Sequence, residues 1–227
     1  MKKLLVVIPA FNEAQTISQV IDSIPRKISG ITSTRIVLID DGSTDQTAEI
    51  ALRKKIVVVR HLINRGLGAA LATGIQYARL TRADYMITMD ADGQHLGGDV
   101  KKIVRTLITN NADVVIGSRL LNPSGMPLSR QVINFLSNIV TLLLFSRWTS
   151  DSQSGLRGFS HRAIERIKIN SQRMEVSSEI IRELARLKLA YLEVPIKSIY
   201  TRYSLRKGQR ISNAPQVFWK LILQKFA

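Results

Sequence analysis

The stretch "YMITMDADGQH" (85–95) passes from an apolar run into two carboxylates, a carboxamide and an imidazole. A short, nearly continuous apolar run is typical of a strand that is covered on both faces. Asp90 and Asp92 are two positions apart, so in an extended segment their side chains share a face, and Gln94 continues the alternation. In open α/β sheets, ligands bind beyond the carboxyl ends of the strands, so this stretch predicts a ligand site there.

Four further apolar runs precede or follow this one along the chain. They are "LLVVI" (4–8), "RIVLI" (35–39), "IVVVR" (56–60) and "DVVIG" (113–117). Helix-length segments separate the runs, and this alternation predicts an open, doubly wound α/β domain with a parallel sheet. Beyond Gly117 the pattern changes, and it predicts helices at 129–147, 160–170 and 174–188 and a strand at 191–200.

The composition limits the possible partners. The chain has 33 Lys and Arg against 17 Asp and Glu, a net charge of +16, and residues 157–227 hold 15 basic and 5 acidic side chains. Nucleic acid, an anionic membrane surface or a phosphorylated substrate would each explain this excess. The absence of cysteine excludes disulfides and thiolate chemistry and agrees with a reducing compartment. The start, "MKKLLVVIPAFNEA", does not resemble a secretion signal.

Polar clusters follow three of the predicted strands: "PAFNEA" (9–14), "DDGS" (40–43) and "DADGQH" (90–95). Each cluster alone could be ordinary turn chemistry, but three clusters at strand ends favour one shared site. Asp90, Asp92 and Gln94 offer oxygen ligands suited to Mg²⁺ or Mn²⁺, with coordination positions left for phosphate oxygens. We leave His95 out of this predicted metal shell, because hard cations prefer oxygen.

The motifs together resemble a known family. The segments "VVIPAFNEA", "VLIDDGSTDQT", "NRGLGAALATGI", "MDADGQH" and "VVIGSR" occur in this order between residues 6 and 119. They resemble the inverting family 2 glycosyltransferases, and most of all the dolichyl- or polyprenyl-phosphate branch of dolichol-phosphate mannose synthase. This resemblance implies the GT-A fold, a Rossmann-like, open, mostly parallel sheet flanked by helices, with C-terminal interface helices.

The resemblance also implies roles for individual residues. Those implied to contact the nucleotide are Pro9, Phe11, Glu13 and Asp41, the last at the base. Asp90 and Asp92 would handle ribose, diphosphate and metal, with Asp92 counted as catalytic, and Gln94 would also reach the metal. Arg119 would lie near the donor and acceptor phosphates as a further catalytic residue.

Downstream, "SDSQSGLRGF" (150–159) resembles a stretch that faces the acceptor in this branch. It implies a catalytic or orienting role for Asp151 and a ligand contact for Arg157, although a polar capping loop is an alternative. Arg202 lies where related enzymes have a basic loop that closes over the phosphates, and the resemblance implies that it is catalytic. Lys207 is assigned to the same loop as a ligand-binding residue, although the basic residues of this loop are spaced differently from the family pattern.

The implied function is metal-dependent, inverting transfer of a hexosyl group from a nucleotide sugar, of the GDP-mannose or UDP-glucose type, to a polyprenyl phosphate. A phosphate acceptor is largely dianionic at pH 7 and needs no base, whereas a hydroxyl acceptor needs a carboxylate. Transfer to a polysaccharide or other hydroxyl is one alternative, and a sugar-phosphate nucleotidyltransferase is another. A nucleic-acid-binding protein would leave the carboxylates without a role, so we expect no nucleic-acid partner.

Two segments bear on the membrane. The segment 132–148 is interrupted by polar residues and is predicted not to cross a bilayer, so it is either a core helix or an interfacial helix. The segment 214–227 mixes aromatic residues with lysines, as an interfacial helix does. We therefore expect a catalytic domain at 1–211, an amphipathic helix at 212–227, and a peripheral location on the cytoplasmic face of an anionic membrane.

Overall fold

The computed structural model of the protein describes residues 2–200. Arg202, Lys207, the boundary at 211 and the helix at 212–227 lie outside the described residues, so these expectations stay predictions.

One open sheet of seven strands runs through the described part of the chain, in the order β3-β2-β1-β4-β6-β5-β7. The strands are β1 (Lys3–Ala10), β2 (Ser33–Asp40), β3 (Val57–Arg60), β4 (Tyr85–Thr88), β5 (Val114–Ser118), β6 (Arg157–Ser160) and β7 (Tyr191–Pro195). All five apolar runs form strands, and the predicted mostly parallel sheet is confirmed. The strand predicted at 191–200 ends earlier, at Pro195.

The strand β6 is the element that the sequence pattern did not predict. It lies between β4 and β5 and pairs antiparallel with both. Its sequence, "RGFS", is short and lacks the β-branched residues that usually indicate a strand. A Cβ atom at Gly158 would lie 2.4 Å from Cγ2 of Ile103, so glycine lets the neighbouring helix pack closely on this strand.

Helices cover both faces of the sheet. They are α1 (Ile17–Ser23), α2 (Thr47–Arg53), α3 (Leu67–Leu80), α4 (Asp99–Thr109), α5 (Leu128–Phe145), α6 (His161–Arg166) and α7 (Val176–Arg186). In β1, Leu4, Val6 and Ile8 pack with α1 and α4, whereas Leu5 and Val7 pack with α3 and α7. Because alternate side chains point to opposite faces, a strand buried on both faces reads as a continuous apolar run.

The predicted helices of the second half exist with changed bounds. The segment predicted at 129–147 forms α5, and the one predicted at 174–188 forms α7. The helix predicted at 160–170 is shorter, because α6 ends at Arg166 and residues 167–172 run without regular structure. The side chain of Ser160 accepts a hydrogen bond from the backbone of Ala163 and so caps the start of α6.

The helix α5 buries polar side chains and exposes apolar ones, which is the reverse of an ordinary surface helix. Its buried residues are Asn134, Asn138 and Thr141, whereas Leu136 and Leu143 are among its exposed side chains. By length and composition alone, this helix of 18 residues is long and apolar enough to cross a membrane. Those two properties therefore do not support the prediction that the segment is too short and too polar to cross. In the structure its polar face packs on the domain.

Candidate active site

A cavity of about 710 Å³ opens at the carboxyl ends of the parallel strands. The predicted residues that line it are Pro9, Phe11, Glu13, Asp41, Asp90, Asp92, Gln94, Arg119 and Arg157. They are as many as 148 positions apart in the sequence, and the sheet brings them to one edge. Of the predicted site residues within the described part, Asp151 is the exception, because it lies behind Arg119 rather than in the cavity lining.

The strand order sets the sequence of groups along the cavity. Asp41 follows β2, Glu13 follows β1, Asp90 and Asp92 follow β4, and Arg119 follows β5. Since β2, β1, β4 and β5 lie in that order across the sheet, the cavity begins with acidic groups and ends with basic ones. The carboxylates in the middle would repel an anionic ligand by themselves, so a ligand with a negatively charged centre would need a cation beside Asp90 and Asp92 to lie across the strand ends.

Asp41 forms the floor of one end of the cavity. Its Oδ1 accepts hydrogen bonds from Nδ1 of His61 at 2.7 Å and from the backbone N–H of Arg65 at 3.0 Å, and its Oδ2 accepts one from Gly66 N–H at 2.6 Å. His61 is fixed in turn by Thr73 Oγ1 at 2.9 Å. The carboxylate is therefore held in one orientation, with acceptor capacity left for a ligand.

The loop after β1 is locked onto the loop after β2. The backbone N–H of Glu13 donates to Thr47 Oγ1 at 2.8 Å, and Asn12 Oδ1 accepts from the backbone of Thr44 at 2.8 Å. Glu13 is buried and accepts a hydrogen bond from Thr16 Oγ1 at 3.2 Å, whereas Phe11 is exposed at the rim of the cavity. This locking presents a rigid wall to any ligand at that end.

The pKa values of Asp90 and Asp92 are shifted in opposite directions. Partial burial raises the pKa of Asp90, but the hydrogen bond with His95 at 3.4 Å and the charges of Arg119 and Arg157 outweigh it and hold that pKa below its ordinary value. Burial, with the charge of Asp90 beside it, raises the pKa of Asp92 to about 6. Within residues 2–200, the charge of His95 and the hydrogen bond from Gln94 offset these effects on Asp92 only in part.

The surrounding backbone restricts the positions of the Asp90 and Asp92 carboxylates. A Cβ atom at Gly155 would lie 1.9 Å from Oδ2 of Asp90, so only glycine lets this loop approach the carboxylate. Asp92 Oδ1 accepts a hydrogen bond at 2.9 Å from the backbone of Gln94, which turns the segment back into the cavity.

The donor set of this region fits a hard divalent cation that also binds phosphate. Within residues 2–200, no three His, Asp or Glu side chains lie close enough together to hold a metal ion. Two carboxylates with a carboxamide, as in Asp90, Asp92 and Gln94, give the oxygen donors typical of a Mg²⁺ site that keeps open positions. The raised pKa of Asp92 agrees with this, because a cation would stabilise its ionised form.

Arg119 and Asp151 form a buried, bidentate ion pair. Nε of Arg119 donates to Oδ2 of Asp151 at 2.7 Å, its Nη2 donates to Oδ1 at 2.8 Å, and its backbone N–H donates to Oδ2 at 3.0 Å. Burial lowers the pKa of Arg119, but the charge of Asp151 outweighs it, so the pKa is raised and the guanidinium stays charged. Asp151 is fully buried, and its geometry suits orienting Arg119.

Arg157 starts β6 and is almost completely buried. Its Nη2 donates to the backbone carbonyl of Ser152 at 2.7 Å, and its Nε has no hydrogen-bond partner in the described part of the chain. Burial lowers the pKa of Arg157 to about 10, although Asp90 and Asp151 oppose the change. A buried guanidinium that lines a cavity adds positive charge there, which is suited to attract an anion.

Several residues of the cavity were missed by sequence reasoning. They are Asn64, Gly66, Leu67, Arg130, Asn134, Met174 and Ser177. Asn64, Gly66 and Leu67 belong to the segment "NRGLGAALATGI", which was quoted for the family resemblance but to which no site residue was assigned. Arg130 and Asn134 come from α5, where an Arg and an Asn in a helical pattern carry no signal of the direction in which they point.

Comparison with known proteins gives matches over most of the chain. The model of the family "Glycosyl transferase family 2" matches residues 5–168. The chain is 33% identical to a UDP-N-acetylglucosamine--dolichyl-phosphate N-acetylglucosaminyltransferase of Methanococcus voltae, over 99% of this chain and 96% of the relative. It is 27% identical to a dolichol-phosphate mannosyltransferase of Pyrococcus furiosus, over 79% of this chain and 52% of that protein.

Among solved structures, the chain is similar to glucosyl-3-phosphoglycerate synthase from Mycobacterium tuberculosis, determined in complex with Mn²⁺ and UDP-glucose. The TM-score is 0.71 at 22% identity, and the match covers 97% of this chain and 77% of that one. At this identity the likeness concerns the fold alone, and it agrees with the GT-A fold expected from the sequence.

Proposed function

The chain belongs to glycosyltransferase family 2, and we propose that it transfers a sugar from a nucleotide sugar to a polyprenyl phosphate at a membrane surface. The observation that carries this proposal is the order of groups along one cavity. The carboxylate of Asp41, held as a hydrogen-bond acceptor, lies at one end, Asp90 and Asp92 lie in the middle, and Arg119 lies at the other end. Relatives named for dolichyl or undecaprenyl phosphate transfer support the acceptor class.

The donor would occupy the end of the cavity that begins at Asp41, with its diphosphate toward the middle. Asp90, Asp92 and Gln94 would hold Mg²⁺ or Mn²⁺, which when bound supplies positive charge that stabilises the departing diphosphate. Asp41 would accept a hydrogen bond from a base that carries a ring N–H, as uracil and guanine do. This supports donors of the UDP and GDP classes and leaves the sugar open.

The acceptor phosphate would bind at the basic end. Arg119 and Arg130 line this end, and Asp151 holds the guanidinium of Arg119 in place. Since both oxygens of Asp151 accept hydrogen bonds from Arg119, its role would be to orient Arg119 rather than to remove a proton. A phosphate dianion needs no such base, so the arrangement supports a phosphate over a hydroxyl acceptor.

Inverting transfer requires the nucleophile and the leaving group on opposite sides of the sugar. The carboxylates of the acidic middle follow β4, whereas Arg119 of the basic end follows β5 on the far side of β6, so a sugar between them would have its leaving group on one side and the acceptor on the other. Arg119 and Arg157 would align the acceptor and reduce the repulsion between its phosphate and the donor diphosphate.

The apolar outer face of α5 supports a location at a membrane. This face comprises Leu128, Val132, Phe135, Leu136 and Leu143, which are exposed by 51 to 77%. Exposed apolar surface beside a lipid-phosphate site is suited to contact a bilayer or the polyprenyl chain. With the net charge of +16, we expect peripheral binding to the anionic cytoplasmic face.

The membrane part is tested by liposome flotation. Leu136→Glu should reduce binding to anionic liposomes by about tenfold, because it places a charge in the apolar face. Leu80→Glu is the matched control, because Leu80 is 81% exposed and belongs to α3 rather than to the α5 face. Equal loss in both variants, or no loss in either, would remove the face of α5 from the proposal.

The reaction is tested with labelled UDP-N-acetylglucosamine, UDP-glucose and GDP-mannose, each offered with a short-chain polyprenyl phosphate, the free polyprenol and a simple glycoside. We expect one donor to give an acid-labile lipid-linked sugar from the phosphate, and to give no product from the other acceptors. Transfer only to a hydroxyl would overturn the proposed acceptor, and formation of a new nucleotide sugar would point to a nucleotidyltransferase.

A further inference from the structure

The polar residue Asn138 lies in the middle of the helix α5, and in the sequence it interrupts an otherwise apolar segment. In the structure it is 1% exposed, and its side chain faces the loop that carries Asp151. Its Nδ2 donates to the backbone carbonyl of Ser150 at 2.6 Å, and its Oδ1 accepts from the backbone N–H of Ser152 at 2.9 Å. One carboxamide therefore clamps the backbone on both sides of Asp151.

The clamped loop supplies hydrogen-bond partners to two arginines of the cavity, Arg119 and Arg157. Asp151 binds the guanidinium of Arg119, and the carbonyl of Ser152 accepts the hydrogen bond from Arg157. A displacement of this loop would thus move the partners of both cations together. Because those bonds fix the direction of two guanidinium groups, small shifts of the loop change the basic end of the cavity.

A second anchor holds the same loop from the sheet side. The carboxylate of Glu193 in β7 accepts hydrogen bonds from Thr149 Oγ1 at 2.7 Å and from the backbone N–H of Ser150 at 2.8 Å. Glu193 belongs to β7, the strand at one edge of the sheet, whereas Asn138 belongs to α5. The loop is therefore held between the sheet and the helix, and the helix is the side that faces outward.

The helix α5 itself has few apolar contacts with the domain. All three of its buried residues are polar, and its large apolar side chains include five that are exposed. Hydrogen bonds such as those of Asn138 therefore have a large share in seating α5 on the domain. One turn before Asn138, Asn134 lines the cavity, so the same helix borders the site, clamps the loop and carries the apolar face.

We propose that Asn138 is a positioning residue that couples the seating of α5 to the Arg119–Asp151 pair and so sets the acceptor end of the cavity. When the outer face of α5 engages lipid, the clamp transmits the position of the helix to the phosphate-binding groups. The acceptor part of this inference rests on the proposed function. The clamp itself rests on the hydrogen bonds of Asn138 and can be tested without any transfer.

An ordinary structural anchor would give a different result from a positioning residue. Loss of an anchor would lower stability and weaken donor and acceptor use together. Loss of a positioning residue would spare the donor end, because Asp41, Glu13 and Asp92 are held by β2, β1 and β4 rather than by α5.

The experiment compares Asn138→Leu with Thr141→Val in the full chain. Leucine has the same branched arrangement of four side-chain heavy atoms as asparagine, with bulkier methyl groups, but it neither donates nor accepts hydrogen bonds. Thr141 is the matched control, because it is buried on the same face of α5 and bonds to Ser137 of its own helix and Ser178 of α7 rather than to the clamped loop. The readouts are nucleoside diphosphate binding by calorimetry, kcat/KM for a short-chain polyprenyl phosphate, and deuterium exchange of peptides covering 146–157 and 85–95.

In Asn138→Leu we expect kcat/KM for the acceptor to fall by about tenfold or more while nucleotide affinity stays within about twofold. Exchange should rise in 146–157 and stay unchanged in 85–95, and Thr141→Val should resemble the wild type. Values for Asn138→Leu within twofold of Thr141→Val in acceptor use and exchange would overturn the proposal. An equal loss of nucleotide affinity would also overturn it.

Two further outcomes remain decisive. If Asn138→Leu does not fold, Asn138→Ala takes its place, and failure of both while Thr141→Val folds would mean that the clamp serves the fold rather than positioning. If the wild type transfers sugar to no polyprenyl phosphate, the proposed function fails. The role of Asn138 in holding the loop is then tested by deuterium exchange in 146–157 and by nucleotide binding alone. Increased exchange with unchanged nucleotide affinity would support that role, and exchange like that of Thr141→Val would overturn it.

Discussion

Asp92→Asn should make the metal-free protein more stable, although the change removes a residue proposed for catalysis. Burial and the neighbouring charge of Asp90 raise the pKa of Asp92 from 3.8 to about 6. At neutral pH the carboxylate of Asp92 is ionised in both states, but in the folded state it is partly desolvated and repelled by Asp90, whereas water solvates it in the unfolded state. Asparagine removes this charge and keeps the oxygen that accepts the hydrogen bond from Gln94.

The magnitude follows from the change in pKa. A rise from 3.8 to about 6 corresponds to about 3 kcal/mol between the two protonation states. Asp92 keeps part of its solvent contact, so we expect about 1.5 kcal/mol, which for a chain of this size is about 3 to 6 °C in Tm. Because the folded state binds the extra proton between the two pKa values, the wild type loses stability as pH rises through that range.

The assay is thermal unfolding in chelator at pH 7.5 and pH 4.5, with Glu165→Gln, which changes an exposed carboxylate of α6, as the control variant. The advantage of Asp92→Asn over the wild type should be full at pH 7.5 and fall to about a third at pH 4.5. Adding Mn²⁺ with UDP or GDP should reverse the order, because the wild type alone gains stability from the bound ion.

Two results would refute this reasoning. A Tm of Asp92→Asn at or below that of the wild type at pH 7.5, without change toward pH 4.5, would show that the carboxylate is not held unfavourably. An equal gain from Mn²⁺ and nucleotide in both proteins would show that Asp92 does not bind the ion.

Two further substitutions test the neighbouring groups. Arg119→Lys keeps the charge but loses the bidentate bond to Asp151, so transfer should fall by about a hundredfold and the free energy of unfolding by about 2 kcal/mol, measured by kcat and urea unfolding. Unchanged kcat would remove Arg119 from the acceptor site. Gly155→Ala places a Cβ atom 1.9 Å from Oδ2 of Asp90 and should weaken metal-dependent nucleotide binding by about tenfold in calorimetry. Gly98→Ala, whose Cβ atom would meet nothing within 4 Å, should bind as the wild type does, and equal binding by all three proteins would contradict the role of Asp90.

The sequence by itself determined six of the seven strands and one half of the cavity lining. Strands buried on both faces are continuous apolar runs, and their polar ends at Glu13, Asp41 and Asp90 lie at one edge because parallel strands all end there. These features are local, since each strand and the loop after it are adjacent in the chain. For that reason the presence of Asp92 and Gln94 in the cavity lining could be predicted without coordinates.

The tertiary structure decided the other half. The strand that carries Arg157 has no apolar run, and it exists because β4 and β5 pair with it on both sides. The bond between Arg119 and Asp151 joins residues that are 32 positions apart, and no periodicity encodes such a partner.

The helix α5 gives the clearest physical reason for this division. Its sequence shows one apolar and one polar face, and burial of apolar surface normally turns the apolar face inward. Here backbone groups of the loop at 150–152 require hydrogen-bond partners, and Asn138 supplies them, so the polar face packs inward. Periodicity reveals that a helix has two faces, but only the groups against which it packs decide which face is buried.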